Sequence, residues 1–93
     1  MFKVNEYFDG KVKSISHLPA EGNATIGVIA AGEYEFGTSS MEVMTVISGK
    51  MDVQQPGEKE WKTYHKFDSF VVQKGVKFKV KVTEDTPYLC LYK

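Results

Sequence analysis

The chain has 93 residues, of which 42% are hydrophobic and 26% are charged, a composition typical of a globular protein. This length predicts a single domain spanning residues 1–93, which can bury only a modest fraction of its surface. Twelve Lys, with no Arg, balance twelve acidic residues, so the formal net charge is zero. This balance gives no reason to expect a nucleic acid or an acidic membrane as a partner.

The single cysteine, Cys90, excludes an internal disulfide. It lies in an apolar C-terminal run, which predicts a buried and unreactive thiol. Residues 1–7 lack the apolar segment of a signal peptide, and no apolar stretch approaches the roughly 20 residues of a membrane helix. The cytoplasm is therefore the expected location.

Strand signals recur about every ten residues, each bounded by Gly, Pro, Asn or Asp, whereas helix signals are nearly absent. This pattern predicts an all-β sandwich or barrel. The predicted strands, in chain order, are Lys11–Ile15, Thr25–Ala31, Glu33–Thr38, Val43–Ile47, Met51–Gln55, Glu60–Tyr64, Phe70–Val72, Val76–Val82 and Tyr88–Tyr92.

The segment Val76–Val82 alternates between apolar residues and lysines. Since the side chains of a strand alternate between its faces, its apolar residues share one face and its three lysines share the other. A stripe of lysines is compatible with a phosphate or nucleic-acid site. A solvated outer face that discourages edge-to-edge pairing is the favoured interpretation.

The segment Val43–Ile47 is apolar on both faces, because Met44 and Val46 share one face while Val43 and Ile47 share the other. A strand with two apolar faces is covered on both sides. In a chain this short a second subunit is the expected cover, which predicts a homodimer.

A pair of motifs relates the sequence to the cupins. Glu42 is followed seven places later by Gly49, as at the end of the first cupin motif, G-x5-H-x-H-x3,4-E-x6-G. With the shorter spacer, the two motif histidines fall on Phe36 and Thr38, and the histidine of the second motif falls on Phe78. The sequence therefore resembles a cupin-type, RmlC-like jelly-roll β-barrel in which the three His positions hold other residues.

This replacement bears on metal binding. A cupin metal site needs about three imidazoles and a carboxylate. Only Glu42 remains of that set, and His17 and His65 lie outside both motifs. We therefore expect no metal and no other cofactor.

A closer resemblance runs nearly from end to end. The sequence is similar to the pyrimidine/purine nucleoside phosphorylase family, a family of small cupins. The blocks that carry the resemblance are Asn5-Glu-Tyr-Phe8, Gly10-Lys-Val-Lys-Ser-Ile15, Gly32-Glu-Tyr34 with Phe36 and Thr38, Met44-Thr-Val-Ile-Ser-Gly49, Trp61, and Tyr88-Leu-Cys90 with Tyr92.

The resemblance implies a pentosyltransferase that cleaves purine and pyrimidine nucleosides with inorganic phosphate, its co-substrate, to the free base and (deoxy)ribose 1-phosphate. Two other functions remain open. A metal-dependent cupin enzyme is disfavoured by the missing histidines. A non-catalytic cupin that binds a small ligand or regulates another protein fits the sequence equally well.

The cupin alignment predicts that Phe36, Thr38 and Glu42 point into the barrel together with Tyr34, and that Phe78 faces them. Glu42 is the candidate catalytic carboxylate, because cleavage of a glycosidic bond develops positive charge on the sugar; its alternative role is to anchor a turn. Phe36 and Phe78 are candidates to stack on a base, or plain core residues. Tyr34 and Thr38 are candidates to bind the sugar or phosphate, although Thr38 could simply satisfy backbone groups.

The remaining titratable candidates are weaker. His17 and His65 titrate in the range of a general acid, but their loop-like or strand-end positions favour surface roles. Lys11 and Lys13 could supply charge to a phosphate, although a solvated face is again favoured. Because the chain has no Arg, phosphate would have to be bound by Lys, hydroxyls or backbone N–H groups.

Overall fold

The computed structural model describes residues 2–18, 20 and 22–93, and this part of the chain forms ten strands and no helix. Accordingly, none of the described residues belongs to a helix that could cross a membrane. The strands are β1 (Lys3–Tyr7), β2 (Val12–His17), β3 (Ala24–Ile29), β4 (Gly32–Gly37), β5 (Glu42–Val46), β6 (Lys50–Gln54), β7 (Lys62–His65), β8 (Ser69–Val72), β9 (Lys77–Val82) and β10 (Thr86–Tyr92).

The strands form two antiparallel sheets that share one hydrophobic core. A six-stranded sheet has the order β1-β2-β3-β10-β5-β8, and a four-stranded sheet has the order β4-β9-β6-β7. Residues from both sheets, such as Met44 and Val46 from one and Phe78 and Val80 from the other, belong to a single buried cluster. The predicted all-β, cupin-type fold is confirmed, as a jelly-roll sandwich of two sheets rather than a closed barrel.

Each of the nine predicted segments overlaps an observed strand, but β1 was not predicted. The reason is that β1 is a largely exposed edge strand without an apolar face. Its inward residue, Asn5, donates side-chain hydrogen bonds to Ser14 (3.3 Å) and Ser16 (2.9 Å) of the neighbouring strand. Hydrogen bonds here replace the apolar contacts that a sequence pattern can detect.

The alternation predicted around β9 is confirmed. Phe78, Val80 and Val82 are buried, and the three lysines between and before them are exposed. Lys81 lies over the ring of Trp61, with 4.9 Å between its Nζ and the ring centroid. The lysine stripe is thus the outer face of the four-stranded sheet.

The outer face of the six-stranded sheet, in contrast, carries a row of apolar side chains. The strand registers place Val4, Ile15, Ile26 and Leu89 in one row across four strands. Val4, Ile15 and Ile26 are 64%, 45% and 48% exposed, respectively. Val43 of β5 lies on the same face, as its sequence position predicted.

Candidate functional site

A cavity of about 520 Å³ lies between the two sheets. Gly27 in β3 fixes the position of one lining residue, because a Cβ atom there would come within 2.8 Å of the Tyr88 hydroxyl and 2.6 Å of the Lys13 carbonyl oxygen. A glycine at this position therefore admits the Tyr88 phenol against the sheet. The cavity is lined by Tyr7, Phe8, Ser14, Ile29, Glu35, Phe36, Gly37, Ser39, Glu42, Met44, Phe78, Tyr88, Cys90 and Tyr92.

One wall of the cavity is aromatic. The Phe36 ring lies 5.7 Å from the Phe78 ring and 5.5 Å, edge-on, from the Phe8 ring, measured between centroids. Phe8 is 44% exposed and lies at the tip of the β1–β2 hairpin. There Lys11 N–H donates to the Phe8 carbonyl (3.2 Å) across Asp9 and Gly10, both at positive φ as in primed hairpin turns. The turn thus places an exposed ring beside two more buried ones.

Glu42 lies at the start of β5 and supplies the cavity with a carboxylate. Its Oε1 accepts a hydrogen bond from the Cys90 thiol, with 3.4 Å between sulfur and oxygen. No Lys or His within the described ranges forms an ion pair with it. Burial raises the pKa of Glu42 above its ordinary 4.5, and the Cys90 hydrogen bond opposes this shift. A carboxylate with so little compensation is suited to a ligand that carries or develops positive charge.

The inward face of β10 carries Tyr88, Cys90 and Tyr92. Burial raises the pKa of Tyr88 to about 12, partly offset by a hydrogen bond with Ser14. Burial likewise raises the pKa values of the Cys90 thiol and the Tyr92 phenol. All three groups are therefore neutral donors at physiological pH, and Cys90, buried as predicted, is a poor nucleophile.

The structure brings three of the five predicted site residues together, since Glu42, Phe36 and Phe78 line the same cavity. Tyr34 is buried behind the aromatic wall, where its hydroxyl donates to the Ala30 carbonyl oxygen (2.7 Å) and its ring packs 6.1 Å from Phe36. It supports the wall rather than lining the cavity.

Thr38 points away from the cavity towards the turn before β9. Its hydroxyl donates to the carbonyl oxygen of Gln73 (2.7 Å) and accepts from the backbone N–H of Val76 (3.1 Å). This geometry matches the alternative interpretation, in which Thr38 satisfies backbone groups. A role for Thr38 in substrate binding stays a prediction.

The two histidines differ from one another. His65 is exposed, as expected, and its Nδ1 lies 3.9 Å from Asp68 Oδ2. The surface interpretation of His17 is wrong in part: the residue is half-buried, and its Nε2 has no hydrogen-bond partner among the described residues. Across that same part of the chain, no three His, Cys, Asp or Glu side chains gather as a metal-binding group would.

Sequence reasoning missed Phe8, Tyr88 and Tyr92 as lining residues. The two tyrosines could have been found from the alternation of Tyr88–Tyr92, which places every second residue of the strand on one face. Phe8 carries no such signal, because it lies in a turn and its direction depends on the hairpin geometry.

Comparison with known proteins identifies the family of the chain. A family model described as pyrimidine/purine nucleoside phosphorylase matches residues 2–92. Proteins of that name from Pseudomonas syringae pv. tomato and Pseudomonas aeruginosa are 57% and 56% identical over 93 residues, with 100% of each chain covered.

Solved structures agree with the fold. A protein of unknown function from Vibrio parahaemolyticus superimposes with a TM-score of 0.93 at 40% identity, over 97% of this chain and 96% of its own. HppE in its iron(II) form superimposes with a TM-score of 0.81 at 8% identity, over 99% of this chain and 56% of its own, a likeness of fold alone. On the full-length sequence match, the chain belongs to the pyrimidine/purine nucleoside phosphorylase family.

Proposed function

We propose that the protein cleaves purine and pyrimidine nucleosides with inorganic phosphate, giving the free base and (deoxy)ribose 1-phosphate, without a metal ion. The observation that carries this proposal is the half-buried Glu42 carboxylate in a cavity with an aromatic wall, where the Cys90 thiol is its only hydrogen-bond donor among the residues that the structure describes. Membership of the phosphorylase family supports it.

The chemistry explains why a carboxylate would serve here. When the bond between the sugar C1′ and the base nitrogen breaks, its electron pair leaves with the base and positive charge develops on the sugar. A fixed carboxylate beside the sugar stabilises that charge, and it is most effective where little water screens it. Two observations support Glu42 in this role: it is partly buried, and it has no cationic partner within the described chain.

The aromatic wall supports broad base tolerance. Stacking on a ring does not depend on the hydrogen-bonding edge of a base, so purines and pyrimidines are both accepted. Phe36 and Phe78 would provide this surface, with Phe8 at the open side. The cavity volume of about 520 Å³ lies within the range typical of small-molecule sites.

The assembly is the second part of the proposal. A homodimer would bury the row Val4, Ile15, Ile26 and Leu89 on the outer face of the six-stranded sheet. The support is the exposure of these large apolar side chains, which water solvates poorly.

A panel of purine and pyrimidine nucleosides tests the function. Each is incubated with the purified protein, with and without inorganic phosphate and with and without chelator, and released base is quantified by chromatography. We expect base release that requires phosphate and ignores chelator, for both classes of nucleoside. A Glu42→Gln protein is purified in the same way and serves as the control for contaminating host enzymes. Binding of nucleosides without any turnover would instead support the non-catalytic alternative.

A further inference from the structure

A second, polar recess of about 460 Å³ adjoins the aromatic cavity at one end of the six-stranded sheet. The two spaces share Tyr7, Ser39 and Tyr92 in their linings, so they adjoin at these three residues. In contrast to the aromatic cavity, the recess is lined almost entirely by hydroxyl and amide side chains and by His17.

The hydrogen bonds within the recess leave several donors free. The Asn5 amide nitrogen has two protons and donates to Ser14 Oγ and Ser16 Oγ. Both serine oxygens therefore act as acceptors. Ser16 keeps its own proton for another partner, whereas Ser14 lines the aromatic cavity and has a hydrogen bond with Tyr88. Thr25 and Tyr92 share one hydrogen bond (3.0 Å between oxygens), which uses only one of their two protons. The ligand that satisfies these groups is rich in acceptors.

The charge of the recess also favours a ligand rich in hydrogen-bond acceptors. Among the lining residues that the structure describes there is no carboxylate. Glu42, in register with Tyr92, lines the adjoining cavity instead. Lys3, in register with Ser16, lies at the edge of the sheet. Furthermore, the Nε2 atom of His17 is buried without a hydrogen-bond partner in the described chain. The recess thus offers neutral hydrogen-bond donors, has no acidic residue among its described lining residues and has Lys3 nearby. An oxyanion is the class of ligand that fits such a site.

We propose that this recess binds inorganic phosphate and presents it to the sugar, with Ser16 and the Thr25–Tyr92 pair as hydrogen-bond donors. The inference rests on the proposed phosphorolysis and adds the position of its co-substrate.

The positions of the aromatic cavity and the recess suit the proposed reaction. A phosphate oxygen donates an electron pair to C1′ as the C1′–N bond breaks; the departing pair goes to the base nitrogen, which takes up the proton that dihydrogen phosphate brings. Displacement of this kind requires the entering oxygen and the leaving base on opposite sides of C1′. With the base on the Phe36–Phe78 wall and phosphate in the recess, the sugar lies between them, beside Glu42 and Tyr92, which are paired in register.

Single hydroxyl deletions test the site. Ser16→Ala and Thr25→Val each remove one donor, and Thr25→Ser keeps it. Thr63→Val is the matched control, because the Thr63 hydroxyl bonds Asp52 (2.6 Å) on the other sheet. The dissociation constant of inorganic phosphate alone is measured by calorimetry, and the KM values for phosphate and nucleoside are measured separately.

We expect Ser16→Ala and Thr25→Val to raise the dissociation constant and KM for phosphate about tenfold each, as for loss of a hydrogen bond to a charged group. The nucleoside KM should stay unchanged. Thr25→Ser should retain most of the phosphate affinity that Thr25→Val loses, and Thr63→Val should behave like wild type. Because Thr25 is only 6% exposed, its substitution can destabilise the fold, so thermal melting is measured beside each assay. Ser16 is half-buried, and Ser16→Ala therefore still tests the site if Thr25→Val fails to fold.

Two results would overturn the inference: unchanged phosphate affinity in a folded Ser16→Ala protein, or a rise in the nucleoside KM in place of the phosphate KM. The proposed function has a separate criterion. If the wild type cleaves no nucleoside but binds phosphate, and Ser16→Ala weakens that binding, the phosphorylase proposal fails and the recess stands as an oxyanion site. If the wild type neither cleaves nucleosides nor binds phosphate, both fail.

Discussion

The substitution Glu42→Gln separates a catalytic carboxylate from a structural one, because the structure predicts opposite effects on rate and stability. Gln keeps the shape of the side chain and removes its charge. If the Glu42 carboxylate stabilises positive charge on the sugar, kcat should fall by roughly 10²–10³-fold, the scale for removal of one preorganised electrostatic group.

Stability should not fall with it. The affected contact is one hydrogen bond from the Cys90 thiol, at 3.4 Å. Because a thiol is a weak donor, we expect its loss to cost about 1 kcal/mol. Against this, the raised pKa of Glu42 means that the fold favours the protonated form. The stability linked to Glu42 is therefore fully present below pH 4.5, its ordinary pKa, and is lost as pH rises through the raised value. At neutral pH the Gln protein should melt at the same temperature as wild type or higher.

The assay measures phosphorolysis and thermal unfolding on the same preparation, across pH. Wild-type kcat should decrease on the acid side with a midpoint above pH 4.5, as Glu42 takes up a proton, and the Gln protein should lack that step. Glu33→Gln, an equal charge change at an exposed position opposite Lys81, is the control. A stable Glu42→Gln protein with wild-type kcat would remove Glu42 from the mechanism, and a fully active but much less stable one would make it a turn anchor.

Three further outcomes are expected from the site and the surface. Elemental analysis of the purified protein should find no stoichiometric transition metal; about one metal per chain, lost together with activity, would contradict this. Phe36→Leu should raise the KM of purine and pyrimidine nucleosides alike, by about tenfold for loss of a stacking ring, whereas an effect on one class only would argue against a shared stacking surface. Ile26→Lys should shift sedimentation from dimer to monomer by placing a charge in an apolar interface, with Lys77→Glu on the opposite sheet as the control; a monomeric wild type at micromolar concentration would rule out the dimer.

The fold could be predicted from the sequence because burial and strand period agree in most strands. In β9 the alternation of valines and lysines alone identifies the buried face. β1 escaped prediction because its inward contact is a polar one, from Asn5 to two serines. A sheet edge held by side-chain hydrogen bonds has no hydrophobic pattern to read.

The candidate site could be predicted only in part. Motif spacing identified Glu42, Phe36 and Phe78, which occupy cupin ligand positions and line the cavity. It failed for Thr38, whose hydroxyl bonds the turn before β9 instead. The polar recess could not be predicted, since it depends on register between strands distant in sequence. Thr25 meets Tyr92, 67 positions away along the chain, only because β10 lies beside β3.

Phosphorus NMR on wild type, with inorganic phosphate and one nucleoside at a time, distinguishes phosphorolysis from every other fate of the substrate. We predict a new pentose 1-phosphate resonance that grows in step with free base, for a purine and for a pyrimidine nucleoside, and that is strongly reduced with Glu42→Gln. Base release without a sugar phosphate product, or no release from either nucleoside by a folded wild-type protein, would contradict the proposed phosphorolysis.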